Sequence, residues 1–213
     1  YTVQTGFAPI IKQFESSGTT GQIPSKHPVS DLNFYHQVAK RIFEEQYESL
    51  ENYHIFALLP SYLERNSSSL VDMMQHFIAE SKSELSGFFL NQYEELTKKI
   101  RQAIQTDRKI WLMGVTFGLL DWLETQTDFS FLQEAIAKNQ LMIMETGGMK
   151  GRREELTRQQ VHEIIQQKMG VQQVGSEYGM TELFSQAYAP ANGIFQPGFS
   201  MKILLREITD PFA

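Results

Sequence analysis

The chain has no cysteine among its 213 residues. This absence excludes disulfide bonds, thiolate metal sites and a cysteine nucleophile from this stretch of sequence. Long apolar runs are also lacking, because the longest, such as Ile110–Val115, are far shorter than the roughly 20 residues of a membrane-spanning helix. The first residues do not read as a signal peptide. We therefore predict a cytoplasmic protein without a membrane span.

An excess of positive charge is missing as well. Nineteen basic residues against 25 acidic ones give a net charge of −6, without a basic cluster, which argues against nucleic acid as a partner. The hydrophobic fraction of 41% is typical of a folded globular protein, and the length suits a single domain over residues 1–213. Because the chain starts at Tyr1 and stops at Ala213, just after a strand-like run, we expect it to be a piece of a longer protein.

Apolar runs of strand length alternate with amphipathic, helix-like segments. The predicted strands are His54–Leu59, Gly87–Leu90, Ile110–Met113, Leu141–Met144 and 171–175, with Gly114 ending the third. Strands that are apolar on both faces and alternate with helices predict an α/β fold, in which helices cover a mostly parallel sheet. Ligands of such sheets bind at loops after the carboxyl ends of strands. Here these are the loops after Phe14, Leu59, Val115, Glu145 and Val174.

Helix ends give more local signals. Ser69 with Asp72, and Thr157 with Gln160, have the spacing of capping boxes. Gly170 stands where a left-handed C-terminal cap belongs. The sequence therefore predicts helices that begin at Ser69 and at Thr157, and one that ends at Gly170.

Glycine and hydroxyl side chains are concentrated in the segment Phe14-Glu15-Ser16-Ser17-Gly18-Thr19-Thr20-Gly21-Gln22-Ile23-Pro24-Ser25-Lys26. Glycines let backbone amides approach an anion, hydroxyls donate to phosphate oxygens, and the lysine adds positive charge. The segment lacks the Gly-Lys-Ser/Thr ending of a nucleoside-triphosphatase P-loop. It is either a phosphate-binding loop of another kind or a surface turn.

A second segment, Val174-Gly175-Ser176-Glu177-Tyr178-Gly179-Met180-Thr181-Glu182-Leu183, combines an aromatic ring, a glycine, a hydroxyl and a carboxylate. These groups could stack a base, contact a phosphate and hold a hard cation. The alternative is a strand-to-loop turn with a solvated Glu182.

Together the two segments resemble the adenylate-forming superfamily of acyl-CoA synthetases and peptide-synthetase adenylation domains. Residues 16–21 are similar to its phosphate loop, residues 178–182 to its Tyr-Gly-x-Thr-Glu signature, and Gly147-Gly148 to its adenine-contacting turn. The chain looks most like the branch that contains the acyl-protein synthetases of bacterial luminescence and the phenylacetate-CoA ligases. The resemblance implies the large N-terminal domain of such an enzyme, without its small C-terminal domain.

The resemblance also implies roles for individual residues. ATP would be bound by Ser16, Ser17, Gly18, Thr19, Thr20, Gly21, Gly147, Gly148, Tyr178 and Gly179. Ser17, Thr19, Thr20 and Lys26 would face the β- and γ-phosphates, although extra residues precede Lys26 compared with the family's usual Gly-x-Pro-Lys. Tyr178 would stack on adenine. Thr181 would contact the α-phosphate and Glu182 would bind Mg²⁺, so that Thr181, Glu182 and Lys26 form the catalytic set.

The implied reaction activates a carboxylic acid, fatty or aryl, as an acyl-AMP and passes the acyl group to a protein cysteine or to CoA. Acyl-transfer or reductase proteins are the expected partners. Candidate residues of the acid pocket are Tyr62, Phe117 and Leu119, which could equally be plain core residues. The superfamily's ribose-binding aspartate and catalytic lysine have no match in these 213 residues.

Other functions receive less support from the sequence. A hydrolase of similar build would need a Gly-x-Ser-x-Gly nucleophile elbow, which the chain lacks. His162-Glu163 begins like a zinc-protease helix, but Gln166 replaces the second histidine. The basic run of Lys150, Arg152 and Arg153 is either a solvated loop or a phosphate contact. A catalytically inactive nucleotide- or partner-binding remnant of the same fold stays open as an alternative.

Overall fold

Seven strands form one sheet in a computed structural model that describes residues 8–16, 24–59, 67–147 and 154–205. They are β3 Tyr53–Leu58, β4 Gly87–Phe88, β5 Lys109–Val115, β6 Leu141–Thr146, β7 Gly175–Gly179, β8 Gln186–Ala189 and β9 Gln196–Pro197. Their order is β4-β3-β5-β6-β7-β8-β9. Pairs from β4 to β7 are parallel, whereas β8 is antiparallel to both neighbours. The predicted α/β fold with a mostly parallel sheet is confirmed.

Helices connect the parallel strands. Their bounds are α1 Leu32–Gln46, α2 Ser69–Glu80, α3 Tyr93–Ile104, α4 Thr116–Thr125, α5 Gln133–Ala137 and α6 Arg158–Met169, with short 3-10 turns at Leu50–Asn52 and Ser130–Leu132. All six residues of β3 are buried, as a strand covered on both faces requires. Among the described helices, none combines the length and the apolar character that crossing a bilayer requires.

The first two strands lie outside the main sheet. Within the described part of the chain, strands β1 (Lys12–Glu15) and β2 (Lys26–Val29) pair only with each other, in an antiparallel hairpin. The expectation that Phe14 precedes a loop at the carboxyl edge of the parallel sheet is therefore wrong. The hairpin packs against the main body, because the buried side chain of Phe14 belongs to the hydrophobic core.

Two predicted helix caps are confirmed and one is displaced. Thr157 and Gln160 form a reciprocal capping box at the start of α6, and Gly170 ends that helix with a φ of 73°. Helix α2, however, is capped by the side chain of Ser68, which accepts from the backbone N–H of Val71. The predicted Ser69–Asp72 box is wrong, since Asp72 instead forms an ion pair with Lys12 of the hairpin.

Two predicted strand limits are also wrong. Strand β5 continues through Gly114 to Val115, and α4 starts at the next residue. Strand β7 begins at Gly175, where the predicted strand 171–175 ends. The shift in β7 matters for the site, because Tyr178 and Gly179 are then the last residues of a strand and not part of the loop that follows it.

Candidate functional site

The carboxyl ends of three neighbouring strands bring predicted site residues together. Gly147 directly follows β6, Tyr178 lies near the end of β7, and Thr116 directly follows β5. The Thr116 hydroxyl oxygen lies 3.4 Å from the Gly147 carbonyl oxygen. Gly147 has a φ of 74°, in the region that favours glycine. Because Thr146 of β6 pairs with Glu177 of β7, Gly147 and the predicted base-stacking residue Tyr178 are the next residues along these neighbouring strands, while Gly148 lies outside the described residues.

The side chain of Tyr178 is contacted at its hydroxyl and at its ring, and it is open to solvent. Its hydroxyl lies 2.9 Å from Met180 Sδ, and its ring meets Phe195 edge-on, with 5.9 Å between the centroids. The Arg158 guanidinium in turn lies 4.8 Å from the centroid of the Phe195 ring. Because 42% of Tyr178 is exposed, this residue is not part of the core. A pre-oriented, exposed ring of this kind can stack on a planar ligand.

Position 179 requires a small residue because of a neighbouring side chain and not because of its backbone conformation. A Cβ atom at this position would lie 2.6 Å from Glu177 Oε1, and the backbone does not have a positive φ. The buried Glu177 carboxyl therefore occupies the space that any larger residue would need. The resemblance implies that Gly179 binds the nucleotide, whereas its described contact is with Glu177.

Thr181 and Glu182 lie in the turn after β7. The Ser69 hydroxyl, in the first turn of α2, is 3.5 Å from the Thr181 hydroxyl. Glu182 is exposed, so its carboxylate is available to a cation. The structure therefore places Thr181 beside the N-terminal end of α2, where backbone N–H groups favour negative charge.

The two ends of the predicted phosphate loop lie within the described residues. The Ser16 N–H donates to the Ser25 carbonyl at 3.0 Å, and the Ser16 hydroxyl accepts from the Ser25 N–H at 2.9 Å. Lys26 starts β2, exposed and opposite Glu15. The remaining predicted loop residues, Ser17, Gly18, Thr19, Thr20 and Gly21, lie outside the described residues.

The hairpin end also adjoins α2. The Glu15 N–H donates to the Ser67 carbonyl at 2.8 Å. Ser67 stands two residues before Ser69, which contacts Thr181. One short segment, 67–69, therefore lies between the two motifs that suggested nucleotide binding.

The candidate acid pocket is described only in part. Phe117 and Leu119 are buried within the hydrophobic core, as the alternative interpretation of these residues expected. Tyr62 and the basic run of Lys150, Arg152 and Arg153 lie outside the described residues. The chain order places β4 on one side of β3 and β5 on the other, so that the topological switch point lies between β3 and β5.

A buried polar network lies beneath these strand ends. Glu145, 3% exposed, accepts from Ser176 at 2.6 Å, from Arg158 at 2.9 Å and from Thr116 at 3.2 Å. His162 Nε2 lies 3.2 Å from the Ser176 hydroxyl. Burial alone would raise the pKa of Glu145, but hydrogen bonds from His162, Ser176 and Arg158 outweigh it and leave the pKa below its usual value. Glu145 is thus a stabilised carboxylate.

Glu177 has the opposite protonation behaviour. It is 5% exposed, and its hydrogen bond comes from the hydroxyl of Thr146, its register partner on β6. Burial raises the pKa of Glu177 to about 7, against the effect of the Thr146 hydrogen bond and with a smaller contribution from the Glu145 charge. Two nearby carboxyl groups, one with a lowered pKa and one with a raised pKa, therefore lie on β6 and β7.

Comparison with family models and with curated protein sequences adds no relative. No family model and no curated protein sequence matches the chain. The adenylate-forming interpretation therefore depends on the two motifs and on the arrangement that the structure gives them.

The sequence interpretation missed Glu145, Arg158 and the role of His162. His162 Nε2 also lies 3.5 Å from Glu145 Oε1, and among the described residues no group of three His, Asp or Glu side chains could hold a metal ion. In the structure both Glu145 and Ser176 are polar residues that are buried on their strands. Such positions need partners on a neighbouring element.

Proposed function

We propose that this chain is the nucleotide- and acid-binding core of an enzyme that uses ATP to activate a carboxylic acid as an acyl-AMP. The observation that carries the proposal is the meeting of the two motifs at segment 67–69. Glu15 binds the Ser67 carbonyl and Thr181 contacts Ser69. If the two motifs were unrelated surface turns, nothing would require them to contact the same three residues, because they lie far apart in the sequence.

In the proposed reaction, a carboxylate oxygen of the acid forms a bond to the α-phosphorus of ATP while the bond from that phosphorus to pyrophosphate breaks. The attacked atom is surrounded by negative oxygens, so hydrogen-bond donors and cations must balance the charge that develops. Thr181 donates to the α-phosphate. Lys26 and the hydroxyls of Ser17, Thr19 and Thr20 serve the β- and γ-phosphates. Tyr178 and the Gly147-Gly148 turn hold the adenine.

The residues near Thr181 are suited to a magnesium ion that binds together with the nucleotide. Mg²⁺ usually keeps several waters and binds one or two carboxylates together with substrate phosphates. One exposed carboxylate, Glu182, beside the α-phosphate contact Thr181 meets that requirement. Mg²⁺ bound there would neutralise the charge on the phosphate oxygens.

The acid and its acceptor are proposed from the fold and the composition. Ligands of open α/β sheets bind in the crevice at the topological switch point, so we place the acid beyond the ends of β3 and β5. The choice of a fatty or aryl acid rests on the resemblance of the two motifs, since Leu58 and Val115 at these strand ends are buried in the core. Because the chain has no cysteine, an accepting thiol comes from CoA, from another protein or from outside these residues.

The test compares Glu182→Gln with Glu163→Gln, which changes an exposed glutamate on α6 away from the turn. The natural protein should catalyse acid-dependent exchange of pyrophosphate into ATP, assayed with fatty, aryl and amino acids. We expect Glu182→Gln to remove most of the exchange and Glu163→Gln to leave it unchanged. Residues 1–213 alone should bind ATP weakly, in a Mg²⁺-dependent manner, and form negligible acyl-AMP, since groups on both sides of the α-phosphate are needed.

Two results would contradict the proposal. One is the absence of acid-dependent exchange in the natural protein with every acid class. The other is full exchange activity in Glu182→Gln. This result would show that Glu182 does not bind the magnesium ion that the proposal places beside Thr181.

A further inference from the structure

One buried side chain contacts all three segments that meet at the proposed phosphate site. Tyr35, on the first turn of α1, is 5% exposed. Neither its position nor its surroundings in the sequence connects it with nucleotide chemistry. Its contacts are with the hairpin that carries the phosphate loop, with the first turn of α2 and with the turn that carries Thr181 and Glu182.

The ring of Tyr35 joins two of these segments. It meets Phe14 and Phe184 edge-on, with centroid separations of 5.5 Å in both pairs. Phe14 is the second residue before Ser16, and Phe184 is the second residue after Glu182. Phe14 and Phe184 also contact each other at 6.3 Å. The aromatic cluster formed by these three residues therefore fixes the phosphate-loop hairpin relative to the Thr181–Glu182 turn.

The backbone of Phe184 shows that this packing determines the turn. Its φ of 48° lies in the left-handed region, which is unfavourable for a bulky residue. Such a conformation persists only where the surrounding structure imposes it. Here the partners of the Phe184 side chain are the rings of Phe14 and Tyr35.

The hydroxyl of Tyr35 reaches the third segment. It donates to the Ser69 carbonyl at 3.0 Å, and the Ser69 side chain is the one that lies beside Thr181. Burial, followed by the charge of Asp72, raises the pKa of Tyr35 well above its ordinary value. The hydroxyl thus stays protonated and remains a donor across the accessible pH range.

We propose that Tyr35 is a positioning residue for the phosphate end of the nucleotide site, acting through its ring on Phe14 and Phe184 and through its hydroxyl on Ser69. The inference rests on the proposed function. Tyr35 does not touch the nucleotide. It sets the separation between the hairpin at Phe14, the first turn of α2 and the turn that carries Thr181, so its influence should fall on the phosphates and not on the base.

The chain offers a matched pair of variants. Tyr35→Phe keeps both ring contacts and removes only the hydroxyl. Tyr47→Phe removes the hydroxyl from a partly buried tyrosine that caps the end of the same helix, and whose buried oxygen has no hydrogen-bond partner among the described residues. Dissociation constants for ATP and for adenosine, both with Mg²⁺, are measured by ligand-observed NMR on the parent chain and on each variant.

We expect Tyr35→Phe to weaken ATP binding by about threefold to tenfold, as the loss of one hydrogen bond does, and to leave adenosine binding unchanged. Tyr47→Phe should change neither constant. Phe184→Leu, which removes the ring contact by a different change, should reproduce the selective loss of ATP affinity. This variant also keeps the proposal testable if Tyr35→Phe does not fold.

The outcomes separate the two proposals. No ATP binding by the parent chain would contradict the proposed nucleotide site itself. If the parent binds ATP, an unchanged constant in Tyr35→Phe, or an equal loss for ATP and adenosine, would overturn the positioning role alone. An equal loss in particular would show that Tyr35 merely stabilises the fold.

Discussion

Ser176 donates a hydrogen bond of 2.6 Å to Glu145, its register partner on the neighbouring strand β6. Ser176 has a single hydroxyl hydrogen, so His162 Nε2, 3.2 Å from the same oxygen, must be the donor in that contact. The pair therefore fixes the protonated nitrogen of His162 as well as the pairing of β6 with β7. Both strands end at the proposed adenine site.

Glu145→Gln should destabilise the fold. The amide retains the volume of the carboxylate but loses the charge that Arg158 and His162 face, and it presents a donor to groups that themselves donate. We expect a loss of about 1 to 3 kcal/mol in the free energy of unfolding, measured by urea titration. Glu134→Gln, at an exposed i,i+4 pair with Lys138, is the control and should leave stability unchanged. Equal stability of both variants would contradict the role of the network.

Glu177→Gln should change how stability depends on pH. The pKa of Glu177 is raised in the fold from 4.5 to about 7, so its stabilising contribution is complete below about pH 4.5 and is lost as the pH rises through 7. The unfolding free energy of the parent, relative to that of Glu177→Gln, should therefore fall by about 2 to 3 kcal/mol between about pH 5 and pH 8. A constant difference across this range would show that Glu177 is ionised throughout.

Gly179→Ala should destabilise the chain by about 1 to 3 kcal/mol, because the added methyl group collides with a buried carboxyl that cannot move freely. The collision has a specific partner, since Glu177 Oε1 would lie 2.6 Å from the new Cβ. In a Glu177→Ala background the same change should cost much less, which a double-mutant cycle can measure. Additive effects would show that Gly179 is needed for another reason.

Tyr178→Ala should weaken ATP binding by about 1 to 3 kcal/mol, the range that base stacking on an aromatic side chain contributes. Since the side chain is 42% exposed, the unfolding temperature should change little. Phe34→Ala removes an exposed aromatic ring on α1, 62% exposed, and should leave binding unaffected. A loss of thermal stability in Tyr178→Ala without a loss of affinity would assign the ring to packing.

Local signals made parts of the fold predictable. The Thr157–Gln160 box and the Gly170 cap depend on residues within one helix turn, so spacing was sufficient to find them. Strand β7 was misplaced because Ser176 and Glu177 are polar although buried. Their partners, Glu145 and Thr146, stand on another strand, and no pattern within one segment reveals such compensation.

The candidate site was predictable to a similar extent. Tyr178, Thr181 and Glu182 could be proposed from the sequence because they stand in one continuous motif. Tyr35 and Glu145 were not, because each acts through contacts with distant parts of the chain. Single residues inside helix and strand patterns look like ordinary structural positions until the topology shows what they touch.

The outer strands of the described main sheet, β4 and β9, have only two residues each. An unpaired strand edge offers its backbone N–H and C=O groups to any chain that can align with it, and edges of this length give an incoming strand little to pair with. Pro197 further reduces the number of hydrogen bonds that β9 could form with another strand, because proline lacks a backbone N–H. The longer apolar strands, β3, β5 and β6, are enclosed between neighbours. The order of the sheet therefore protects its most aggregation-prone segments from cross-β growth while the chain stays folded.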